Sequence, residues 1–259
     1  MFSFSIYLQG LIAMVIAVVG VWLLSLSKRN VSIVDSAWSL LFVLGACVYA
    51  PAGGGDGGGE RRILVLALVG IWALRLAGYI TWRNWGHPED ARYQAIRARN
   101  QPNFEFKSLY LVFLLQALLA WLISLPLLGA LLASAPLNGF DAAGAALWLT
   151  GIVFEAGGDW QLMRFKADPA NTGAVMDGGF WRYTRHPNYF GDFCVWWGFY
   201  LIAVGAGAWW SVAGPLIMSL LLMKVSGVTL LEKDIGRRRP KYADYMRRTN
   251  AFFPGMPKR

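Results

Sequence analysis

The residues best suited to chemistry form a short polar run, from Tyr183 to Asp192, between apolar stretches. Pro187 suits the first turn of a helix, because the N–H group that it lacks is not needed there. Arg185 and His186 directly precede it, so free helix N–H groups and cationic side chains are expected to converge at one point. The run therefore predicts a site for a phosphate or another anionic group at the start of a helix.

The polar run extends into the apolar helix that follows, where it contributes two polar residues. Asn188 and Asp192 are one turn apart, on the same helix face. Ionisable groups at membrane depth are costly and face an interior or a water-filled cavity. Trp181 and Tyr183 could stack on a planar ring. These residues predict a cofactor site. The alternative is topological, since Arg and Trp are enriched beside membranes without any ligand.

A second group of candidates lies in the first half of the chain. Asp35 comes early in one apolar stretch, and Arg75 and Tyr79 lie one turn apart in the next. A carboxylate in lipid is usually paired or protonated, so Asp35 and Arg75 are a possible ion pair. A catalytic role for Asp35 is the other interpretation.

The composition indicates what positions these residues. The chain has 259 residues, of which 56% are hydrophobic and 15% charged. Several stretches exceed the roughly 20 apolar residues that cross a bilayer as a helix. Lipid offers backbone groups no partners, so only helices or closed barrels span it, and the alternation typical of barrel strands is missing from this sequence. We predict an all-α, polytopic membrane protein.

Seven transmembrane helices are predicted, with no internal repeat or linker, so residues 1–259 are expected to form a single domain. The first apolar stretch, Met1 to Leu26, lacks the basic leader and the cleavage site of a signal peptide and is interpreted as a membrane helix. The helices are expected at roughly 5–26, 31–50, 63–82, 108–133, 142–162, 188–207 and 210–231, followed by a tail at 232–259.

The basic residues predict an orientation. Most of the 24 Lys and Arg residues follow helices one, three, five and seven, whereas the opposite loops carry Arg61 and Arg62. Basic loops face the cytoplasm, so the N-terminus is expected outside and the C-terminus in the cytoplasm. The polar segments 83–107, 163–187 and 232–259 then share the cytoplasmic side. The net charge of +9 suits an anionic lipid bilayer and requires no nucleic acid.

Other sequence features predict no additional cofactor. The two His and two Cys residues have no zinc-binding spacing, so no metal site is expected. The stretch Gly53 to Gly59 contains a G-x-G-x-x-G pattern, but no strand precedes it, so we interpret it as a flexible loop.

From about Asp159 to Pro254, the sequence resembles the C-terminal domain of the steroid 5α-reductase family, and the whole chain resembles a bacterial member. The run Gly178-Gly179 … Tyr183 … Asn188-Tyr189-Phe190-Gly191-Asp192 … Trp196 is similar to that family's Gly-Gly … Tyr … Asn-Phe-Leu-Gly-Glu … Trp run, with Asp replacing Glu. The resemblance implies seven membrane helices in the inner membrane of a bacterium and NADPH bound from the cytosol. With the residues named above and Glu232 of the tail, the predicted cofactor site comprises Asp159, Lys166, Trp181, Tyr183, Arg185, His186, Asn188, Asp192, Trp196 and Glu232.

The resemblance also implies a substrate. In that family a Gln-Glu pair on helix two and a Tyr on helix three bind the steroid ketone. Here Asp35 lies where the pair is expected, the tyrosine position falls on Trp72, and the nearest phenol is Tyr79. We therefore expect Asp35 and Tyr79 to be catalytic and Trp38 and Trp72 to bind substrate. The implied reaction is NADPH-dependent reduction of the C4=C5 double bond of 3-oxo-Δ4 steroids or of a similar enone lipid.

Two alternatives remain open. An Arg-His-Pro-x-Tyr-x-Gly run, here Arg185 to Gly191, also occurs in sterol reductases and in isoprenylcysteine carboxyl methyltransferases. Those methyltransferases use S-adenosylmethionine, and Glu232 resembles a residue of their C-terminal tail. The second alternative is a membrane transporter or receptor without enzymatic activity, because seven helices with buried charges also describe such proteins.

Overall fold

The computed structural model describes residues 2–53, 58–225, 227, 228, 232 and 240–258. Helices dominate these residues and no strand occurs among them, which confirms the all-α prediction. Most of the predicted flexible loop (residues 54–57) and the tail residues 233–239 lie outside the described ranges, as do residues 229–231 at the end of the seventh predicted helix.

Four of the described helices are long and apolar enough to cross a membrane: Phe4–Lys28, Ile33–Ala52, Gly59–Asn84 and Phe104–Ile123. A shorter apolar helix covers Trp209–Val225. Helices of this length satisfy their own backbone groups and present apolar side chains to lipid. The chain is therefore a helical membrane protein.

The chain folds as two compact units. The first contains Met1–Asn138 and Ala203–Ser211, and the second contains Gly139–Ile202 and Val212–Arg259. The single domain inferred from the sequence stays a prediction.

The first unit is arranged around its second helix. This helix packs against the first, third, sixth and seventh helices of the chain. The helices are α1 (Phe4–Lys28), α2 (Ile33–Tyr49), α3 (Gly59–Asn84), α4 (Ala91–Arg99), α5 (Phe104–Ser108), α6 (Leu115–Ile123) and α7 (Leu125–Leu132), and a π-helical segment, Leu109–Leu114, joins α5 to α6.

An aromatic pair fastens α1 to α6. The rings of Tyr7 and Trp121 stack with centroids 4.1 Å apart. The Tyr7 hydroxyl donates to the Trp121 carbonyl oxygen at 2.9 Å, and the Trp121 indole donates to the Tyr7 carbonyl oxygen at 2.8 Å. Each polar group thus finds a partner within the protein, as an apolar solvent requires.

One predicted helix is broken in the structure. The sequence predicts a single helix over 108–133, but the helical span ends at Ile123 and α7 begins at Leu125. Pro126 explains the break, because it cannot donate a backbone hydrogen bond to the preceding turn and is tolerated at the start of a new helix.

The second unit contains the polar run. Its helix α9 begins at Pro187, which confirms the prediction that this proline lies in the first turn. Short 3-10 turns cover Pro169–Asn171 and Gly179–Arg182. The helices are α8 (Gly139–Ala167), α9 (Pro187–Gly205), of which the part to Ile202 belongs to this unit, α10 (Ala213–Leu220) and α11 (Pro240–Arg248).

Glycines bring α8 and α9 into backbone contact. A Cβ atom on Gly151 would lie 2.5 Å from the Gly191 carbonyl oxygen, and one on Gly191 would lie 2.4 Å from the Glu155 nitrogen. A second crossing pairs Gly144 with Gly198, where a Cβ atom on Gly144 would lie 2.6 Å from the Gly198 oxygen. Small residues allow such close approach between membrane helices.

We expect Gly191→Ala to destabilise the protein by about 1–3 kcal/mol, because the added methyl group would overlap backbone atoms that cannot rotate away. Thermal denaturation in detergent would measure the loss. Gly78→Ala is the matched control, since a Cβ atom there meets nothing within 4 Å. Equal stability of both variants would contradict the close contact between α8 and α9.

Candidate functional site

The start of α9 joins predicted cofactor residues to α8. The Asn188 amide donates to an Asp159 carboxylate oxygen at 3.4 Å. Asp159 is 6% exposed and Asp192, one turn further along α9, is 8% exposed. Trp196 follows after another turn and is fully buried. This part of the second unit thus holds two buried carboxylates and an amide beside a large aromatic ring.

The segment before α9 is fixed to α8 as well. The Trp181 indole donates to the Gly158 carbonyl oxygen at 3.0 Å, and the Phe180 N–H group donates to the Gln161 side chain at 2.9 Å. The indole of Trp181 therefore has a structural partner, whereas the ring of Tyr183 is 39% exposed. Lys166, near the end of α8, is also exposed.

Arg185, His186 and Glu232 form a buried charged cluster. The Arg185 guanidinium donates to both Glu232 oxygens, each at 2.7 Å. The ring Nε2 of His186 lies 2.9 Å from Glu232 Oε1. The three side chains are at most 12% exposed. The structure therefore brings together three of the predicted cofactor residues, of which Glu232 is distant in sequence from Arg185 and His186.

The same arginine holds the C-terminal segment. Its side chain donates to the carbonyl oxygens of Met246, at 2.9 Å, and Thr249, and its backbone N–H group donates to the Asn250 oxygen at 2.9 Å. Nearby, the Tyr245 hydroxyl donates to the Trp181 carbonyl oxygen. The Arg185 guanidinium thus donates its hydrogen bonds to acceptors within the protein. Its contact with a cofactor phosphate stays a prediction.

Electrostatics stabilise the charged form of this cluster. Burial by itself would raise the pKa of Glu232, but hydrogen bonds from His186 and Arg185, together with the charge of Arg185, outweigh it and lower the pKa to about 2. Burial disfavours the charged guanidinium of Arg185, yet Glu232 raises its pKa above the ordinary value. The pair is therefore ionised over the whole physiological range.

Asp35 lies in a different cluster, in the first unit. The Tyr93 hydroxyl donates to one of its carboxylate oxygens at 2.5 Å, and Arg92 donates to the other at 2.8 Å. The sequence suggested Arg75 as its ion-pair partner, and the structure gives Asp35 a different cation. Arg92 and Tyr93 both lie on α4, a helix within the polar segment 83–107 for which the sequence predicted no helix.

The start of α4 is held against the loop between α1 and α2. Glu89 accepts the Val31 N–H group at 2.8 Å and two bonds from Arg97, each at 2.9 Å. Asp90 caps α4 by accepting the Arg92 N–H group at 2.8 Å. An Asp cap and the charges within the helix were signals that could have predicted it.

These contacts shift the titration of the loop groups. Burial favours the neutral form of Glu89, but its bonds from Arg97 and Val31 lower its pKa below the ordinary value. Burial, and then the charge of Asp35, raise the pKa of Tyr93 well above the ordinary value, so its hydroxyl stays protonated.

The predicted substrate residues share an aromatic cluster. Trp38 and Trp72 each pack edge-on against Phe42, with ring centroids 5.0 and 5.6 Å away. Within the described part of the chain, the buried Nε1 of Trp38 has no acceptor. Tyr79 lies elsewhere on α3, where Arg83 packs over its ring at 5.7 Å.

Apolar spans and buried polar clusters define a helical membrane protein with candidate binding sites. Residues 21–249 match the family described as "Protein of unknown function (DUF1295)", so the chain belongs to that family, which lies within the steroid 5α-reductase-like superfamily. An uncharacterized protein of Schizosaccharomyces pombe is 27% identical over 264 residues, covering 90% of this chain and 75% of the yeast protein. No solved structure matches the chain significantly.

Proposed function

We propose that the protein is an NADPH-dependent reductase of the activated double bond of a 3-oxo-Δ4 steroid or a similar enone lipid. The observation that carries this proposal is the buried polar group at the start of α9, where Asn188 contacts Asp159 and Asp192 follows one turn later. Membership in a reductase-like superfamily supports it.

The residues of the second unit fit a nicotinamide dinucleotide. The carboxylates of Asp159 and Asp192 can accept hydrogen bonds from ribose hydroxyls or from a carboxamide, and Asn188 can donate to a carbonyl oxygen. The exposed ring of Tyr183 offers a stacking surface. Lys166 and Arg182 are exposed cations for the phosphates. When bound, NADPH would supply the hydride that adds to the β-carbon of the enone.

Trp38 suits the substrate's carbonyl group. A buried N–H group without an acceptor costs about 1–3 kcal/mol, and a ketone oxygen would satisfy it. A hydrogen bond at that oxygen also stabilises the negative charge that develops there as the double bond is reduced. Asp35, one helical turn before Trp38, keeps its proposed catalytic role, and Tyr93 and Arg92 hold its carboxylate in place. Tyr79 is the second residue with a proposed catalytic role.

The topology belongs to the same proposal. We infer seven transmembrane helices, with α8, α9 and the helix over Trp209–Val225 joining the four longer apolar spans. The basic loops favour an external N-terminus and a cytoplasmic C-terminus. The resemblance to bacterial members of the reductase family favours a bacterial inner membrane.

The purified protein tests the reaction. We expect it to change NADPH fluorescence on binding and to oxidise NADPH when progesterone or testosterone is added. Absence of NADPH binding at high micromolar concentration would contradict the proposed cofactor. In the same assay, Trp38→Phe removes the indole donor while keeping an aromatic ring, and it should lower kcat/KM by about 10-fold or more while NADPH affinity stays unchanged. An unchanged kcat/KM would exclude Trp38 from the carbonyl site.

A second candidate is a methyltransferase that uses S-adenosylmethionine. The contact of Glu232 with both Arg185 and His186 favours it, because these residues belong to the motif and tail shared with such enzymes. Thermal shifts with the two cofactors separate the candidates. Stabilisation by S-adenosylmethionine and not by NADPH would favour the methyltransferase, and stabilisation by neither would favour a transporter or receptor.

A further inference from the structure

The first unit contains a cavity that the proposed reaction does not use. Its volume is about 330 Å³, near the lower end of the size range of small-ligand sites. The walls come from the end of α1, the loop after it, and helices α4 and α5. Arg29, Arg97 and Glu105 supply charged groups, and Leu26 and Val31 supply apolar surface.

The cavity lies at the C-terminal end of α1, beside its last apolar turns, where the change from apolar to polar side chains is typical of the boundary between hydrocarbon and headgroups. Leu23 and Leu24, in the last apolar turns of α1, are more than half exposed, as expected for side chains that contact acyl chains. Beside them the Trp22 indole donates to the Glu105 carbonyl oxygen at 2.9 Å, and the Phe106 ring is 67% exposed. Tryptophan in such positions is typical of the interface between hydrocarbon and headgroups.

The charged side chains of the cavity differ in whether another protein group already neutralises them. Glu89 binds the Arg97 guanidinium through both carboxylate oxygens and neutralises it. Arg29, by contrast, is exposed. The side chain of Glu105 is 54% exposed, and its Oε1 lies 3.5 Å from Arg97. This contact is longer than the two bonds of 2.9 Å between Arg97 and Glu89. The cavity therefore presents a cation and an anion to the same ligand.

We propose that this cavity binds the headgroup of phosphatidylethanolamine. Arg29 would hold the phosphate, since guanidinium groups bind phosphate oxygens strongly. Glu105 would accept hydrogen bonds from the primary ammonium group. Leu26 and Val31 would contact the glycerol region, and the acyl chains would continue along the exposed leucines of α1. Phosphatidylglycerol lacks the ammonium group, and the quaternary ammonium of phosphatidylcholine has no proton to donate. This site is independent of the proposed reductase activity.

Lipid binding to the delipidated full chain in detergent tests the proposal, with thermal shift and native mass spectrometry as readouts. We expect the apparent affinity for phosphatidylethanolamine to exceed that for phosphatidylcholine by about 10-fold, the effect of one charged hydrogen bond. Arg29→Gln should lower that affinity about 10-fold, whereas Lys28→Gln, a change to the adjacent base outside the cavity lining, should leave it unchanged.

Glu105→Gln is the second variant, and it should abolish the preference for ethanolamine over choline while Glu60→Gln preserves it. The measured quantity is the ratio of the affinities for phosphatidylethanolamine and phosphatidylcholine on one protein. A general loss of stability would lower both affinities and leave this ratio unchanged. Equal binding of the three lipids, preference for phosphatidylglycerol, or an unchanged ratio in Glu105→Gln would overturn the proposal.

Discussion

Asn188→Ala is expected to lower the affinity for NADPH about 10- to 100-fold while the protein stays folded. The amide lies at the start of α9 and contacts Asp159, and in the proposed site it would hold a polar group of NADPH. Leaving a buried hydrogen-bonding partner unsatisfied costs about 1–3 kcal/mol, a range that includes a 10- to 100-fold loss of affinity. Fluorescence titration of NADPH on the purified variant measures the change.

Asn100→Ala provides the control for this substitution. Its amide also donates to a protein oxygen, the Ile96 carbonyl at 2.8 Å, but it lies in the first unit and outside the proposed cofactor site. Its NADPH affinity should equal that of the unchanged protein. If Asn188→Ala also retains full affinity, the start of α9 is not part of a cofactor site.

Glu232→Gln is expected to destabilise the protein by about 3 kcal/mol at neutral pH. The substitution leaves the buried Arg185 guanidinium without its counter-ion, and breaking one side of a buried ion pair costs about 3–5 kcal/mol. Because Arg185 also binds the segment around Met246 and Thr249, we expect that segment to become more accessible to protease. Thermal denaturation and limited proteolysis in detergent measure both effects.

The pH dependence follows from the lowered pKa of Glu232. Its ordinary value is 4.5 and its folded value is about 2, so its contribution is fully present above about pH 5 and is lost as the pH falls through 2. The stability difference between the unchanged protein and Glu232→Gln should therefore shrink between pH 5 and pH 2. A constant difference over that range would contradict the ion pair, and Glu60→Gln should show little difference at any pH.

The Arg185 contacts change the interpretation of the motif. In the sequence, Arg185 and His186 beside a helix start indicate an anion site. In the structure, Arg185 binds Glu232 and the backbone of the C-terminal segment. The motif thus joins distant parts of the second unit and fixes the turn that precedes Asn188. By fixing this turn, the Arg185 contacts can position the proposed cofactor residues even if Arg185 itself binds no ligand.

The sequence by itself determined the class of the protein. Long apolar stretches have few solutions in lipid, because backbone groups must be satisfied within the segment, so the all-α membrane fold follows from hydropathy. Pro187 also determined the start of α9, since its missing N–H group and fixed φ restrict it to the first turn. The family relationship rests on the same local runs.

Only the tertiary structure decided which side chains meet. Asp35 pairs with Arg92 and Tyr93, whereas the sequence suggested Arg75 as its ion-pair partner. The short helix α4 that supplies these partners has too few apolar residues for a periodic signal, and contacts from the loop after α1 stabilise it. Glu232 likewise meets Arg185 because the chain returns to the start of α9. Partners far apart in sequence depend on packing between helices, which local spacing does not specify.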